Sequence, residues 1–250
     1  MASLKVEIIV SDDAGHTNGA LVREFPAVRF ISGPRRGPAA NRNAGARAAA
    51  GEWLLFCDDD CLPEPNLLEV YFQRTRTSGC DVIEGAILAD RPRRHPFEES
   101  PINDVGGNLW SCNFAIRRRV FWTVGGFDER FPAPAGEDAE LCYRLKKAGI
   151  LIHYAPDAVV IHPWRKRTAA GFLHQQRRCL ESELIAISIH PELRRVSTCY
   201  AVAKDVVRYY LRTFIPQLRQ MGIAVVLTQP LLWFVQLRRF AAFARLRAFY

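Results

Sequence analysis

Apolar residues reach Trp164 as short runs separated by stretches with helical spacing. Val6-Glu7-Ile8-Ile9-Val10 is rich in β-branched residues and ends at Ser11-Asp12-Asp13, which predicts a strand with acids at its carboxyl end. Val28 to Ile31 predicts a second strand, Trp53 to Cys57 a third, Asp81 to Ala86 a fourth, and Ala158 to Ile161 another that stops at His162. Between them, Pro38 to Gly51 predicts a helix. Pro sits in its first turn, Ala40, Ala44 and Ala48 recur at four-residue intervals, and Gly51 stands where a C-cap belongs. Further helices are expected near Pro65 to Thr77 and from Gly136 through Leu145. Strands and helices alternating at this spacing predict an α/β sandwich with a largely parallel sheet.

Two regions break the rhythm. Residues 90 to 107 are rich in Pro, Gly and charge, so a mobile surface loop is expected there. Beyond Pro163 the text becomes helical, with Arg-rich faces and no convincing strand, which places a boundary near 165 between a domain at 1–164 and a helical extension at 165–250. Charge follows the same division. Residues 1–164 carry 19 Lys+Arg against 22 Asp+Glu, whereas 165–250 carry 15 against 4, so the net charge of +8 belongs to the extension.

Residues 221–235 are nearly continuously apolar but shorter than a spanning helix needs and interrupted by Gln229-Pro230. The following stretch alternates Arg with Phe and Leu, the composition of a helix lying in a membrane interface. Peripheral attachment to an anionic cytoplasmic leaflet is therefore expected, with packing on protein as the competing reading. Nucleic acid is not expected, because no aromatic stacking platform accompanies the charge. An apolar content of 49% marks a folded chain, and seven cysteines without a C-x-x-C pair point to free thiols in a reducing compartment. The first residues lack a basic segment followed by a long apolar core, so secretion is not expected.

The candidate chemistry is acidic. Asp58-Asp59-Asp60 places three like charges at the end of an apolar run, an arrangement that suits a hard divalent cation; the competing reading is a solvated acidic turn. Ligands of open α/β sheets bind beyond the carboxyl ends of strands, which is where these residues are expected. Glu137-Asp138 opens the helix after Gly136, where acids are also favoured simply by the helix dipole.

The flanking text decides between these readings. In order along the chain stand Asp12-Asp13, Arg42-Asn43-Ala44-Gly45, Asp58-Asp59-Asp60 in the position of a D-x-D motif, Asn113 to Arg118, Gly125-Gly126-Phe127-Asp128-Glu129, Glu137-Asp138 and His162. With this ordered set the chain resembles family 2 glycosyltransferases, the inverting, nucleotide-sugar-dependent kind with the GT-A fold, over about residues 6 to 165. The resemblance implies a three-layer α/β/α sandwich with a mostly parallel mixed sheet. It implies that Asp12 and Asp13 meet the nucleobase, that Asp58 and Asp59 meet the donor, with Asp58 on the ribose, and that Asp60, with Asp58 and His162, holds Mg²⁺ or Mn²⁺. Asp138 is the implied general base and Glu137 positions the acceptor. The donor is expected to be a UDP-sugar and the acceptor a hydroxyl of a glycan or lipid-linked carrier.

Arg42 and Arg117 are candidates for the donor's phosphates or base, and Trp110 and Trp164 for stacking on sugars. His162 is equally readable as a partly buried residue with a structural partner. One departure stands against the matches: the chain opens at what looks like the family's second strand, so a sheet position beside the nucleotide site is expected to be open. That keeps a non-catalytic, membrane-bound sugar-nucleotide binder in play. A phosphohydrolase of the haloacid dehalogenase type also uses an Asp-x-Asp at a strand end, although its usual Thr or Val four residues later is Leu62 here.

Overall fold

The computed structural model describes residues 4–14 and 19–193, with scattered positions between 215 and 238. In chain order the elements are β1 (Ile8–Asp12), α1 (Gly19–Glu24), β2 (Val28–Ser32), α2 (Pro38–Ala48), β3 (Trp53–Phe56), β4 (Leu62–Pro63), α3 (Leu67–Thr77), β5 (Val82–Ala89), β6 (Glu98–Glu99), β7 (Phe114–Arg117), α4 (Arg118–Thr123), α5 (Glu137–Lys147), β8 (Ile152–His162), β9 (Arg165–Lys166) and α6 (Ala169–Ile189). The described residues up to Asp90 and Pro101–Pro163 make one compact unit; Arg91–Ser100 groups with the described residues from Trp164 onward in another.

In the first unit five strands form a mixed sheet in the order β3-β7-β5-β8-β4, with β3, β5 and β8 pointing one way and β7 and β4 the other. Alternation along these strands builds two cores. Leu54, Phe56, Val82, Phe114 and Ile116 face one side, where they meet Ala39 and Ala46 of α2, Phe121 of α4 and Leu141 and Leu145 of α5. Ile83, Ile87, Ala115 and Val160 face the other, against Leu67 and Tyr71 of α3. This is the expected α/β/α layering. Phe56 centres an aromatic cluster, its ring 5.0 Å from Phe114, 5.3 Å from Phe121 and 5.2 Å from Phe127.

Small residues let α2 approach closely, and Asn43 on its buried face binds the Phe127 backbone from both ends of its amide: Nδ2 donates to the carbonyl at 2.8 Å and Oδ1 accepts from the N–H at 3.0 Å. The helix ends earlier than its sequence predicts. Ala49, in an extended conformation, is the C-cap, and Gly51 lies beyond it in the turn into β3.

β1 and β2 pair in parallel as a separate ribbon. One face of β1 meets α2, where Asn41 Nδ2 donates to the Ser11 carbonyl at 2.8 Å and Asn41 Oδ1 accepts from Ser11 Oγ at 2.6 Å. Val6, Ile8 and Val10 on the other face are exposed, as are Leu21 and Val22 of α1 and Phe25 after it. Glu7 ties the start of β1 to the start of β3 by accepting from Ala50 N at 2.6 Å and Gly51 N at 2.8 Å, yet the two strands do not pair. Among the described residues, no strand pairs with the free edge of either.

The stretch 90–107 is not the plain surface loop its composition predicts. Buried Glu98 draws it into a turn: its carboxylate accepts a two-pronged contact from Arg91 at 2.8 and 3.2 Å and bonds from the backbone N–H groups of Arg94 and His95 at 2.7 and 3.1 Å. Those donors hold the carboxyl well below its ordinary range, at about 2, Arg91 contributing most. β6 then pairs with β9, so a short strand does exist beyond Pro163. Asn103, in the first unit, is buried beside β5 and exchanges backbone hydrogen bonds with Ile87. Beyond β9, α6 is capped by Thr168, whose hydroxyl accepts from Gly171 N at 3.0 Å, and it supplies part of the helical text expected there. No helix among the described residues is long and apolar enough to cross a membrane. The apolar run at 221–235 is described only at separate positions, and the Arg/Phe stretch after it, Arg238 aside, lies outside the described residues.

Candidate active site

Two backbone devices aim the candidate side chains. The first is a bulge: the pairing of β5 with β8 slips between Gly85 and Ala86. Asn113 fills the slip, donating to the Ala86 carbonyl at 2.8 Å and the Ala158 carbonyl at 2.9 Å while accepting from Tyr71 Oη at 2.8 Å. A side chain at Gly85 would lie 2.3 Å from the Asn113 amide and 2.4 Å from the Ala158 oxygen, so only glycine admits this buckle. The buckle fixes the loop carrying Trp110, Ser111 and Cys112. The second device is Gly136, whose left-handed backbone (φ 85°) turns the chain so that Glu137 and Asp138 enter α5 in its first turn, where the helix dipole favours their charge.

Arg42 of α2 joins the acids across the unit. It donates to Asp58 and to Glu137 at 2.8 Å each, and its guanidinium lies 5.7 Å from the centre of the Phe127 ring. Burial works against that charge, but Asp58 and Glu137 outweigh it and hold Arg42 above its ordinary range. Glu137 is buried, its Oε2 has no hydrogen-bond partner, and desolvation with the nearby Asp138 raises its carboxyl to about 7. Asp138 accepts from Ala139 N at 2.8 Å and Ser111 N at 3.4 Å, and burial raises it as well. Two buried acids thus lie side by side, both raised by desolvation, with one cation between Glu137 and Asp58.

Just after the acids, β4 pairs antiparallel with the end of β8, Leu62 opposite Ile161, and so brings Asp60 and Cys61 to His162. His162 is buried, its Nδ1 lies 3.0 Å from the Pro163 carbonyl, and its Nε2 lies 3.6 Å from Asp60 Oδ1. Donor atoms of Asp60, Cys61 and His162 all fall within 4.8 Å of one another. Cys61 in turn is in hydrogen-bond contact with Cys57 and Cys112. The backbone joins this group to the acids, since Cys61 N donates to the Asp58 carbonyl at 3.3 Å. The Cys112 thiol is pushed up by its hydrogen bond with Cys61 and by burial, with smaller contributions from the charges of Asp58 and Asp138.

The structure therefore brings Arg42, Asp58, Asp60, Glu137, Asp138 and His162 into one connected cluster. Asp12 and Asp13 lie at the end of β1, Asp12 accepting from Ala14 N at 2.8 Å and Asp13 from Arg35 N at 2.6 Å. They approach the cluster through α2, because Asn41 binds Ser11 while the next residue, Arg42, binds Asp58. Asp59 is exposed and contributes no hydrogen bond to the network. Arg117 is not at the site. It pairs with Glu52 and with Asp81 and lies 4.8 Å from the Trp53 ring, at the opposite end of β3, because β7 runs antiparallel to β3 and ends where β3 begins. Trp110 packs half-buried at the edge of the α3-side core, with its indole nitrogen unbonded; Trp164 belongs to the second unit, where it donates to the Arg91 carbonyl at 2.6 Å. Sequence reading missed Cys61 and Cys112. Cysteine spacing carries no hint of them, and only their place beside Asp60 and before Asn113 could have drawn attention.

A mixed α/β/α sandwich with strand-end carboxylates facing a helix-borne acid pair is the layout of a nucleotide-sugar enzyme. Residues 2–127 match the model of "Glycosyl transferase family 2" and residues 105–175 that of "Glycosyltransferase like family 2"; the chain belongs to this family. It is similar to validoxylamine A glucosyltransferase of Streptomyces hygroscopicus subsp. jinggangensis, at 28% identity over 206 residues, covering 65% of this chain and 49% of the relative. N-acetylgalactosaminyltransferase 6 of Drosophila melanogaster is 31% identical over 179 residues, covering 58% and 26%. Among solved structures, GalNAc-T7 with UDP, GalNAc and Mn²⁺ shares the fold, with a TM-score of 0.56 at 16% identity over 73% of this chain and 41% of that one. The matches thus take in about half the length of the first of these relatives, and less of the others.

Proposed function

We propose that the chain catalyses metal-dependent, inverting transfer of a sugar from a nucleoside-diphosphate donor, most simply a UDP-sugar, to a hydroxyl of a glycan or lipid-linked acceptor. The observation that carries this reading is the chain of contacts from His162 and Asp60, through the turn in which Cys61 N donates to the Asp58 carbonyl, to Asp58, Arg42 and Glu137 beside Asp138. Family membership supports it, and the phosphohydrolase alternative falls with that assignment. GalNAc-T7, the structural neighbour, was solved with UDP and Mn²⁺.

The residues fit a divalent ion. Asp60 offers a carboxylate, and a His162 Nδ1–H given to the Pro163 carbonyl turns Nε2 toward Asp60, the arrangement typical of metal-binding histidines. Asp60 and His162 would hold it, with Asp58 nearby. When bound, such an ion neutralises charge that develops on a departing diphosphate, a contribution of several kcal/mol.

The chain's own residues do the rest. Asp138, oriented by two backbone N–H groups and raised by burial, is suited to take the proton of the attacking hydroxyl near neutral pH, a role worth roughly 10²- to 10⁴-fold. Attack on the face opposite the leaving group inverts the anomeric centre. Glu137, held by Arg42, positions the acceptor, and Arg42 keeps Asp58 and Glu137 from repelling one another when the diphosphate brings further negative charge. Asp12 and Asp13 face the nucleobase. Donor consumption measured over a panel of sugar nucleotides, wild type against Asp138→Asn, tests the assignment; unchanged turnover in the variant removes Asp138 as base.

A second reading is a sugar-nucleotide binder without turnover, and the exposed face of β1 beside Asp12 supports it. Binding of UDP without donor consumption by any sugar nucleotide would establish it. Attachment to an anionic cytoplasmic membrane surface remains part of the proposal on the strength of the extension's charge, with 15 Lys+Arg against 4 Asp+Glu. Flotation with anionic vesicles at low salt tests it, and a chain that stays in the soluble fraction excludes it.

A further inference from the structure

We propose that Cys61 is a third protein donor, beside Asp60 and His162, and that the site accepts a borderline-soft divalent ion, Zn²⁺ or Co²⁺, in preference to Mg²⁺ or Mn²⁺. The inference rests on the metal-dependent reading above and deepens it. A carboxylate oxygen, a thiol sulfur and an imidazole nitrogen lie within 4.8 Å of one another where the start of β4 pairs with the end of β8. Around Zn²⁺, bonds of about 2.0–2.2 Å to N and O and about 2.3 Å to S place tetrahedral donors roughly 3.3–3.7 Å apart. The distance of 3.6 Å between His162 Nε2 and Asp60 Oδ1 already meets that requirement, and the sulfur needs to close by no more than about an ångström.

The surroundings match the same chemistry. Cys61 and His162 are both buried, so their donor atoms are sheltered from competing water. The Pro163 carbonyl fixes the imidazole through Nδ1, as outer partners of metal-bound histidines do. Three protein donors with a position left open is the composition of a zinc site that still admits a substrate oxygen. Hard ions gain little from sulfur, whereas thiolate and imidazole together select the softer end of the divalent series. Binding releases the Cys61 thiol proton to solvent as the Cys61–metal bond forms. Cys57 and Cys112 stand in contact with Cys61, so the experiment must separate three sulfurs.

The test is an anaerobic titration of the full chain with Co²⁺, read by absorption. A thiolate-to-cobalt charge-transfer band in the near ultraviolet is expected in the wild type, lost in Cys61→Ser and Cys61→Ala and kept in Cys57→Ser and Cys112→Ser. Competition should show Zn²⁺ displacing Co²⁺ far more readily than Mn²⁺ does, and the margin between them should shrink roughly tenfold or more without the thiolate. Visible cobalt bands without charge transfer would overturn the Cys61 assignment while leaving Asp60 and His162 as ligands. A charge-transfer band lost in Cys112→Ser but not in Cys61→Ser would overturn it as well. Failure of both Co²⁺ and Mn²⁺ to bind would overturn the inference together with metal dependence. A Cys61-dependent band in a chain that never binds UDP would support the inference and overturn the nucleotide-sugar reading.

Discussion

The helix-borne acid pair at Glu137-Asp138 and the strand-end acids at Asp12-Asp13 sit in opposite settings. Around Asp138 every supporting strand is covered on both faces, and the acids are buried deeply enough for desolvation to raise them. Around Asp12 the supporting ribbon is covered on one face only, with Ile8 52% exposed and the edge of β1 open. The difference separates two demands. Proton transfer needs a desolvated, preorganised carboxyl, which only a closed core can supply. Recognition of a planar base, the role proposed for Asp12 and Asp13, needs hydrogen-bond acceptors on an accessible edge, which a ribbon with one exposed face can present.

Substitutions can break that contrast. The largest effect is expected at Asp138→Asn, which should lower transfer by roughly 10²- to 10⁴-fold with UDP binding retained, measured as turnover and by calorimetry. Next comes Ile116→Ala. Ile116 is fully buried, and its loss should cost about 2–5 kcal/mol in denaturant unfolding. Ile8→Ala on the open ribbon should change stability by no more than about 0.5 kcal/mol. Similar costs at the two positions would mean that β1 is covered in solution.

Smaller than the loss at Ile116 is a pH effect at Glu137. Its folded carboxyl, raised to about 7, binds a proton that the unfolded chain has lost, so stability is fully present below its unfolded pKa of 4.5 and falls as pH rises through 7. Glu137→Gln should flatten that decline by about 1–2 kcal/mol between those limits, read from unfolding midpoints against pH. A parallel pH profile in the variant would assign the decline to another group.

The sequence made the layers and most of the acids legible because both depend on local pattern. The apolar run from Trp53 to Cys57 reports a buried strand directly, and acids after apolar runs mark strand ends, whereas β7, at Phe114 to Arg117, was not among the expected strands. Pairings distant along the chain were not legible. Arg117 looked like a phosphate contact until the antiparallel pairing of β7 with β3 carried it to the far end of the strand. Glu98 turned a Pro-rich stretch into a closed turn through donors that no periodicity reveals. Gly51 sat where a helix cap was expected, but Ala49 ended α2 first. Cys61 and Cys112 are 51 positions apart, and only the buckle at Asn113 sets them side by side.

Whether Asp60 and His162 join the acid pair in one nucleotide-sugar site is decided by calorimetric binding of UDP, with and without Mn²⁺, to the wild type and to Asp60→Asn. UDP should bind the wild type at least tenfold more tightly with the ion present, and the ion should make no difference to the variant. UDP binding of equal strength in both proteins, indifferent to the ion, would contradict that arrangement.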